Sequence, residues 1–238
     1  MKNNLHYEIN NIDPSNKKQF IRQLFDSIVP TYDLLNRILS LGIDIRWRKS
    51  IIKIIGGVKN KKILDLCCGT GDLSRILSKN GADVFSLDFS LPMILAGIKK
   101  NWITKYPVNA DASVLPFKDN SFDILSIAFG IRNIPDIDNF ISDAFRVLKP
   151  EGLLIILELT RPDNKPIGLI YRIYLTRVLP IIGGIISGKR LAYRYLATTI
   201  STFINNDKLY TLLKARGFSN IKFYKKTFSV ATITISRK

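Results

Sequence analysis

The chain of 238 residues has one histidine, His6, in a polar N-terminal stretch where a solvated side chain is expected. A single histidine excludes a Ser-His-Asp triad and a histidine-rich metal site, so no metal is expected. There are only two cysteines, Cys67 and Cys68, and they are adjacent. Neighbouring cysteines rarely bridge and no C-x-x-C pair exists. The expectation is a reduced compartment, with two small residues filling a tight strand end. No run of 18 apolar residues occurs, so no membrane-spanning helix is predicted. Residues 1–18 are polar and hold no apolar signal region, so export is not expected and a cytoplasmic location is. Acids are also scarce, 19 against 36 Lys and Arg, for a formal net charge of +17. Residues 161–238 hold 15 Lys or Arg and two acids, Asp163 and Asp207, which puts +13 of the +17 there. Such a face matches an anionic partner, either nucleic acid or an anionic membrane surface. A composition biased toward Lys, Asn and Ile produces the same count with no partner at all.

What is present is a core. The hydrophobic fraction is 46%, and the length suits one domain spanning 1–238. Within it a helical leader covers 1–58, an alternating core 59–160, a helical insertion 161–204, and a last helix with an edge hairpin 205–238.

The chain is organised around residues 62–72, K-I-L-D-L-C-C-G-T-G-D. An apolar run enters Gly69-Thr70-Gly71, and a helical pattern starts at Asp72. This reads as a buried strand, a tight glycine turn and a helix start. Glycines there let backbone approach a ligand closely. The free N–H groups of the new helix favour acceptor or anionic atoms. A second apolar run ends at Asp88, about 20 residues on, where a carboxylate can bond a ribose hydroxyl pair. The expected ligand is adenosine-like. A dinucleotide site wants a third glycine where Ser74 stands. In the D-x-G-x-G-x-G pattern the first glycine is replaced by Cys67, while Asp65, Gly69 and Gly71 remain. An ordinary turn with no ligand is the alternative.

Helices are expected at 15–29, at 33–39, and at 45–55 with Asp44 as cap and Trp47 and Ile51 inward. Strands follow at 62–67, 82–88, 106–110, 122–128 and 153–159, the last after a turn at 149–152. Helices are expected at 72–78, after Ser90 with Pro92 in the first turn, and at 137–148. All-apolar strands alternating with amphipathic helices imply a parallel sheet covered on both faces. In such sheets ligands sit beyond the carboxyl ends of the strands, where strand order reverses. Residues 161–188 break the alternation with a long apolar face interrupted by Arg172 and Arg177. This stretch reads as too short and too charged to span a bilayer. It can be a lid, a membrane-contact helix or a core helix, and core or lid packing is the expectation. Helices at 189–203 and 207–215 precede strands at 219–224 and 228–235, a hairpin closing the sheet's far edge.

Three strand tips converge on the glycine turn: Asp88, then Asp111-Ala112, then the loop from Phe129 to Asn133. Asp111 can accept from an adenine amino group while Ala112 lets a ring lie close; a solvated loop acid is the alternative for Asp111. Methyl transfer from a sulfonium is an in-line displacement in which the protein positions the acceptor and tunes its charge. An aromatic-carbon acceptor needs a phenolate-like ring oxygen, which the Arg132 guanidinium can stabilise while Asn133 orients the ring or a water. The alternative for Arg132 is a salt bridge to Asp136 or Asp138. The loop is neither N-P-P-Y nor D-P-P-Y, and no cysteine lies near the fourth or fifth strand. Both absences count against nucleic-acid methylation.

These residues carry a resemblance. The chain resembles the ubiquinone/menaquinone biosynthesis C-methyltransferases over nearly its whole length. The matching stretches include Phe25-Asp26-Ser27-Ile28, Tyr32-Asp33-Leu34-Leu35-Asn36, the segment 64–72, Leu115-Pro116-Phe117, the loop 129–133, and Ala192-Tyr193-Arg194-Tyr195-Leu196. The resemblance implies a class I S-adenosylmethionine-dependent methyltransferase fold, Rossmann-like, with a mostly parallel seven-stranded sheet and helices on both faces. It implies S-adenosyl-L-methionine as cofactor and a prenylated hydroquinone, demethylmenaquinol first, as substrate. The implied cofactor positions are Gly69, Thr70, Gly71, Asp88, Asp111 and Ala112, with Arg132 and Asn133 catalytic. No role transfers to residues 230–233, where V-A-T-I replaces the usual Gly and His. The alternatives are a methyltransferase of another small lipid or phenol, including the benzoquinol of ubiquinone biosynthesis, and a basic RNA- or membrane-binding module. Peripheral attachment to the inner face of the cell membrane and a homodimer are further expectations.

Overall fold

The structure, a computed structural model, describes residues 14–238, and His6 lies outside the described residues. Seven strands form one sheet in the order β3-β2-β1-β4-β5-β7-β6. These are β1 (Lys62–Leu66), β2 (Asp83–Asp88), β3 (Tyr106–Asn109), β4 (Phe122–Ala128), β5 (Leu148–Leu159), β6 (Ser219–Lys226) and β7 (Ala231–Arg237). The first five pair in parallel and β7 pairs antiparallel with both β5 and β6. The strand order reverses between β1 and β4, and the glycine turn leaves β1 at that point. The doubly wound sheet and the closing hairpin are as the sequence predicts.

The helices are α1 (Pro14–Ile28), α2 (Tyr32–Ser40), α3 (Ile43–Ile55), α4 (Asp72–Lys79), α5 (Leu91–Lys99) and α6 (Ile137–Val147). Then come α7, one continuous helix Lys165–Ser187 with a π-helical stretch over Tyr174–Val178, α8 (Arg190–Thr202) and α9 (Asn206–Ala215). The two faces of β1 show where its three apolar residues go. Leu64 and Leu66 face α6 and α9 through Phe140, Ile141, Leu209 and Leu213. Ile63 faces α3 and α4 through Trp47, Ile51, Leu73 and Leu77. A third apolar cluster holds α1, α2, α7 and α8 together beyond the strand ends, with Leu35, Leu175, Leu179, Tyr193 and Ile200 buried in it. The leader and the insertion thus become one helical cap over the carboxyl edge of the sheet. These helices are amphipathic, and α1, α2, α7 and α8 bury their apolar faces on one another, while α3 of the leader covers the sheet.

Several local expectations are corrected. Asp44 does not cap α3. Gly42 does, in a left-handed conformation, and Asp44 lies buried in the first turn bound to Arg37, Arg48 and Ser40. The predicted turn at 149–152 is an irregularity inside β5, where pairing with β4 slips between Phe122 and Ile124 and Glu151 takes φ +64°. The hairpin's second strand starts at Ala231 rather than Phe228, because Thr227, Phe228 and Ser229 all have positive φ in the turn.

The largest correction concerns α7. It is 23 residues long, and by length and composition it passes for a membrane span, although 22% of its most apolar stretch is buried. The sequence reading treated its two arginines as breaking the segment, but a helix tolerates them with the apolar average intact. One face of α7, with Leu175, Leu179, Pro180 and Gly183, is buried in the cap. A Cβ at Gly183 would lie 2.2 Å from the Tyr193 ring, so α7 and α8 meet there in direct contact. The opposite face is exposed, so of the core or lid packing expected from the sequence, α7 is not a helix buried on all sides.

Candidate active site

The turn after β1 is shaped by close approaches. Gly69 and Gly71 have φ of +56° and +89°. A Cβ on Gly71 would lie 2.7 Å from Ile103 Cγ1, and one on Gly69 would rest on the Tyr32 ring at 3.6 Å. Cys68 N–H donates to Leu87 O at 3.0 Å, tying the turn to β2. Asp88 stands 5% exposed at the tip of β2. Its carboxylate accepts from Gly69 N–H at 2.8 Å and from Ser90 N–H at 2.9 Å. Burial nevertheless pushes its carboxyl up to about 6, partly offset by those two amides. Thr70 donates to Asp33 of α2 at 2.5 Å, which pins the cap to the turn. Asp65, one turn earlier, accepts from the Ser74 hydroxyl at 2.6 Å and the Ser126 hydroxyl at 2.9 Å. Burial raises it to about 6 as well. Ser74, which stands where a dinucleotide site would have glycine, therefore fastens α4 to β1. Cys67 and Cys68 are free and half-buried, with burial holding both thiols well above their ordinary value.

Two small hollows flank this turn. On one side Asp111, Ala112, Cys67, Leu87, Gly130 and Asn133 line about 40 Å³, with Lys18 and Ile21 of α1 against them. Two of the three strand tips named from the sequence meet here, Asp111-Ala112 and the loop after β4, while Asp88 is not in the lining. Asp111 is not a solvated loop acid: Lys18 pairs with it and Ser113 N–H donates to it at 2.8 Å. Ligand sites typically occupy roughly 300–1,000 Å³, so α1 and its Lys18 contact must shift to admit a nucleoside.

On the other side Arg48, Asp72, Thr70, Tyr32 and Asp65 line about 10 Å³. Arg48 and Asp72 are 5% and 7% exposed. Arg48 Nη1 donates to Asp44 at 2.5 Å, while its Nη2 is 4.0 Å from Asp72 Oδ2. Arg37 pairs with both carboxylates. Arg48 Nε and Asp72 Oδ2 have no hydrogen-bond partner, and buried polar atoms are rarely left so. An unpartnered cationic donor in α3 and an unpartnered anionic acceptor at the start of α4 thus line one hollow. They match a carboxylate and an ammonium on the same carbon, the end of an α-amino acid. The sequence reading missed both residues. Asp72 directly follows the glycine turn, but nothing in the sequence pairs it with an arginine 24 positions earlier.

Beyond Arg48 and Tyr32 opens a larger cavity of about 300 Å³. Its wall is apolar and aromatic: Phe25, Trp47, Phe129, Leu175 and Leu179, with five tyrosines, Tyr32, Tyr171, Tyr174, Tyr193 and Tyr195. Arg132 and Asn133 also line it, as expected for the loop after β4. Arg132 does not pair with Asp136 or Asp138. Asp136 caps α6 and Asp138 pairs with Arg216. Its partner is Glu158 at the end of β5, and both side chains are buried, 6% and 3% exposed. The sequence could not supply that partner, because β4 and β5 become neighbours only in the sheet. Arg132 is therefore a charge already balanced, with Nε unpartnered. Asn133 Oδ1 accepts from the Tyr195 hydroxyl at 3.1 Å, leaving its amide N–H groups to donate. Burial pushes Tyr174, Tyr193 and Tyr195 up to about 12, and Tyr171 higher, so these hydroxyls are protonated donors at neutral pH. The cavity is a largely apolar, aromatic space that also holds Arg132 and Asn133 and shares Tyr32 and Arg48 with the hollow at the glycine turn.

Solved proteins share this architecture. A SAM-dependent methyltransferase from Thermotoga maritima, described as a possible histamine N-methyltransferase, superposes with a TM-score of 0.65 at 17% identity, covering 91% of this chain and 99% of that one. Sequence relatives lie closer. The demethylmenaquinone methyltransferase of Thermus thermophilus is 42% identical over 217 residues, 89% of this chain and 98% of its own length. The ubiquinone/menaquinone biosynthesis C-methyltransferase of Geotalea daltonii is 36% identical over 230 residues, 93% of this chain and 97% of its own length. A family model matches residues 13–238, from the cap helices through the glycine turn and the Arg132 loop to the last strand, so the chain belongs to the ubiE/COQ5 methyltransferase family.

Proposed function

We propose that the chain methylates a ring carbon of a prenylated hydroquinone, demethylmenaquinol foremost, with S-adenosylmethionine as donor. The reaction then takes its lipid substrate from the inner face of the cell membrane. The observation that carries this reading is the 300 Å³ aromatic cavity, floored by Arg132 and Asn133 and joined to the glycine turn through Tyr32 and Arg48. When bound, the donor supplies a methyl group already activated as a sulfonium. Asp88 holds the ribose hydroxyls, Asp111 and Ala112 flank the adenine, and Arg48 with Asp72 holds the methionyl end. Stacked rings and aliphatic side chains bury the acceptor's naphthalene system and lead its tail outward. Arg132 donates toward a ring oxygen as negative charge develops on it. Because Glu158 already balances the guanidinium, Arg132 acts as an oriented donor rather than a bare charge. The Asn133 amide, fixed by Tyr195, donates beside it. The ring carbon that gains the methyl would lose its proton to water as aromaticity returns, and the donor would leave as the neutral thioether.

Purified protein is incubated with labelled donor and reduced demethylmenaquinone beside an active control enzyme. Label is expected in the quinone, and its absence rejects the reading. The benzoquinol of ubiquinone biosynthesis is the second reading, favoured by the Geotalea relative, whose description covers both pathways. Product mass spectrometry on a mixed quinol panel separates the two.

A further inference from the structure

The outward face of α7 is hard to explain as the surface of a free monomer. Leu169, Ile170, Ile173, Ile181 and Ile185 are 50%, 68%, 44%, 50% and 78% exposed. Ile170, Ile173, Ile181 and Ile185 recur at helical spacing and share one side of the helix. On the inner side Tyr171, Tyr174, Leu175 and Leu179 line the large cavity. The Tyr174 hydroxyl donates to Leu39 O at 2.6 Å, which fixes α7 beside the corner between α2 and α3. Leu41 at that corner is 85% exposed and lines the same cavity, so it marks the mouth. Apolar surface this contiguous normally marks an interaction site.

The charges around it identify the partner. Lys165, Arg172, Arg177, Lys189, Arg190 and Arg194 are all exposed along α7 and the start of α8. No Asp or Glu occurs between Asp163 and Asp207. Among the described residues none of these six pairs with a carboxylate, and Asp163, just ahead of α7, is taken by Lys225. An apolar stripe bordered by lysine and arginine is the pattern of a helix lying in the plane of an anionic bilayer. It does not suit a second copy of this chain. A two-fold interface would set the same cationic border against itself.

We propose that α7 docks the protein on an anionic lipid surface, its isoleucine stripe in the headgroup boundary and its arginines on the phosphates. The cavity mouth at Leu41 is then set against the bilayer. The inference rests on the lipid-quinol reading above and adds to it the element that meets the lipid and the chemistry of that lipid. In this arrangement the prenyl tail stays in hydrocarbon while only the ring enters the cavity, so the long tail need not cross water.

The test is flotation with vesicles of phosphatidylglycerol mixed with phosphatidylcholine, against phosphatidylcholine alone. Wild type is expected to float with the anionic vesicles and to detach as salt rises. The double variant Ile170→Asp/Ile185→Asp is expected to lose vesicle affinity by at least about tenfold. Arg172→Glu/Arg177→Glu is expected to lose the salt-sensitive part. All four positions lie outside the cavity lining, so the affinity of each variant for S-adenosylhomocysteine stays at the wild-type value, which also shows that the fold is intact. The proposal is overturned if wild type ignores anionic vesicles or if the Asp variant floats as wild type does. It is equally overturned if size-exclusion shows the stripe joining two copies while flotation is unchanged by its loss. A tail-less, water-soluble demethylnaphthoquinol separates this from the activity itself. Failure of wild type to methylate it counts against the quinol reading, whereas normal methylation with unaltered flotation of the variants removes only the docking role of α7.

Discussion

Replacing Arg48 with methionine separates the two ends of the donor. Arg48 is 5% exposed, and its Nε is the buried N–H without a partner beside the glycine turn. Charge-assisted hydrogen bonds of this kind contribute about 1.5–3 kcal/mol, so Arg48→Met should weaken S-adenosylhomocysteine roughly 10- to 150-fold. The substitution strands no charge: Asp44 keeps Arg37 and Ser40, and Asp72 keeps Arg37. The guanidinium also sits 4.8 Å from the Phe129 ring centroid, a contact contributing about 1–2 kcal/mol to the fold, so some loss of melting temperature is expected. The assay is calorimetric titration with two ligands, S-adenosylhomocysteine and 5′-methylthioadenosine, which has the same nucleoside and no amino-acid end. The first should weaken and the second should not. Asp72→Asn should repeat the pattern through the ammonium group. If both ligands weaken by the same factor, Arg48 merely supports the pocket walls and the reasoning from its orphaned nitrogen fails.

Three further outcomes are expected. Arg132→Met should lower turnover far more than S-adenosylhomocysteine affinity, since Arg132 lines the acceptor cavity; a parallel fall in both would make its role structural. By contrast Glu158→Ala leaves the Arg132 charge buried and unpaired, and should cost about 3–5 kcal/mol of stability in denaturant titration, more than Arg132→Met costs. Asp65 and Asp88 are both raised to about 6 in the folded chain, so the folded state binds more protons than the unfolded one between about pH 4 and pH 6. Their contribution is full below the ordinary carboxylate value and is lost as pH rises through 6, by about 3 kcal/mol each. The unliganded protein should therefore melt higher at pH 5 than at pH 7.5, and Asp65→Asn should flatten that slope; the opposite slope would refute the assignment.

The sequence by itself determined the order of elements. Apolar runs at 62–66, 83–88, 122–128 and 153–159 have no polar face to offer water, so they could only become strands buried on both sides. Gly71 fixed the turn because a Cβ there would run into Ile103, and Gly69 because its φ of +56° suits a residue without a Cβ. Asp88 and the pair Asp111-Ala112 stood out as candidates in the sequence because ligands in such sheets sit at strand ends, a rule of topology rather than of packing. Trp47, Ile51 and the other positions at helical spacing likewise declared helices, but not what those helices would cover.

Tertiary structure decided the rest. Glu158 became the partner of Arg132 only when β5 came to lie beside β4, 26 residues apart in the chain and adjacent in the sheet. Arg48 and Asp72 met only because α3 packs against α4, and their missing bonds are visible only once burial is known. The segment 161–188 read as one long apolar face interrupted by Arg172 and Arg177, and helical spacing alone could not say which part of it the cap would take. Packing against α1, α2 and α8 claimed Leu175, Leu179 and Gly183 and left Ile170, Ile181 and Ile185 in water. Local propensity is written in neighbouring residues, but which charges pair and which apolar face stays bare depends on contacts made across the fold, and only the folded chain holds those.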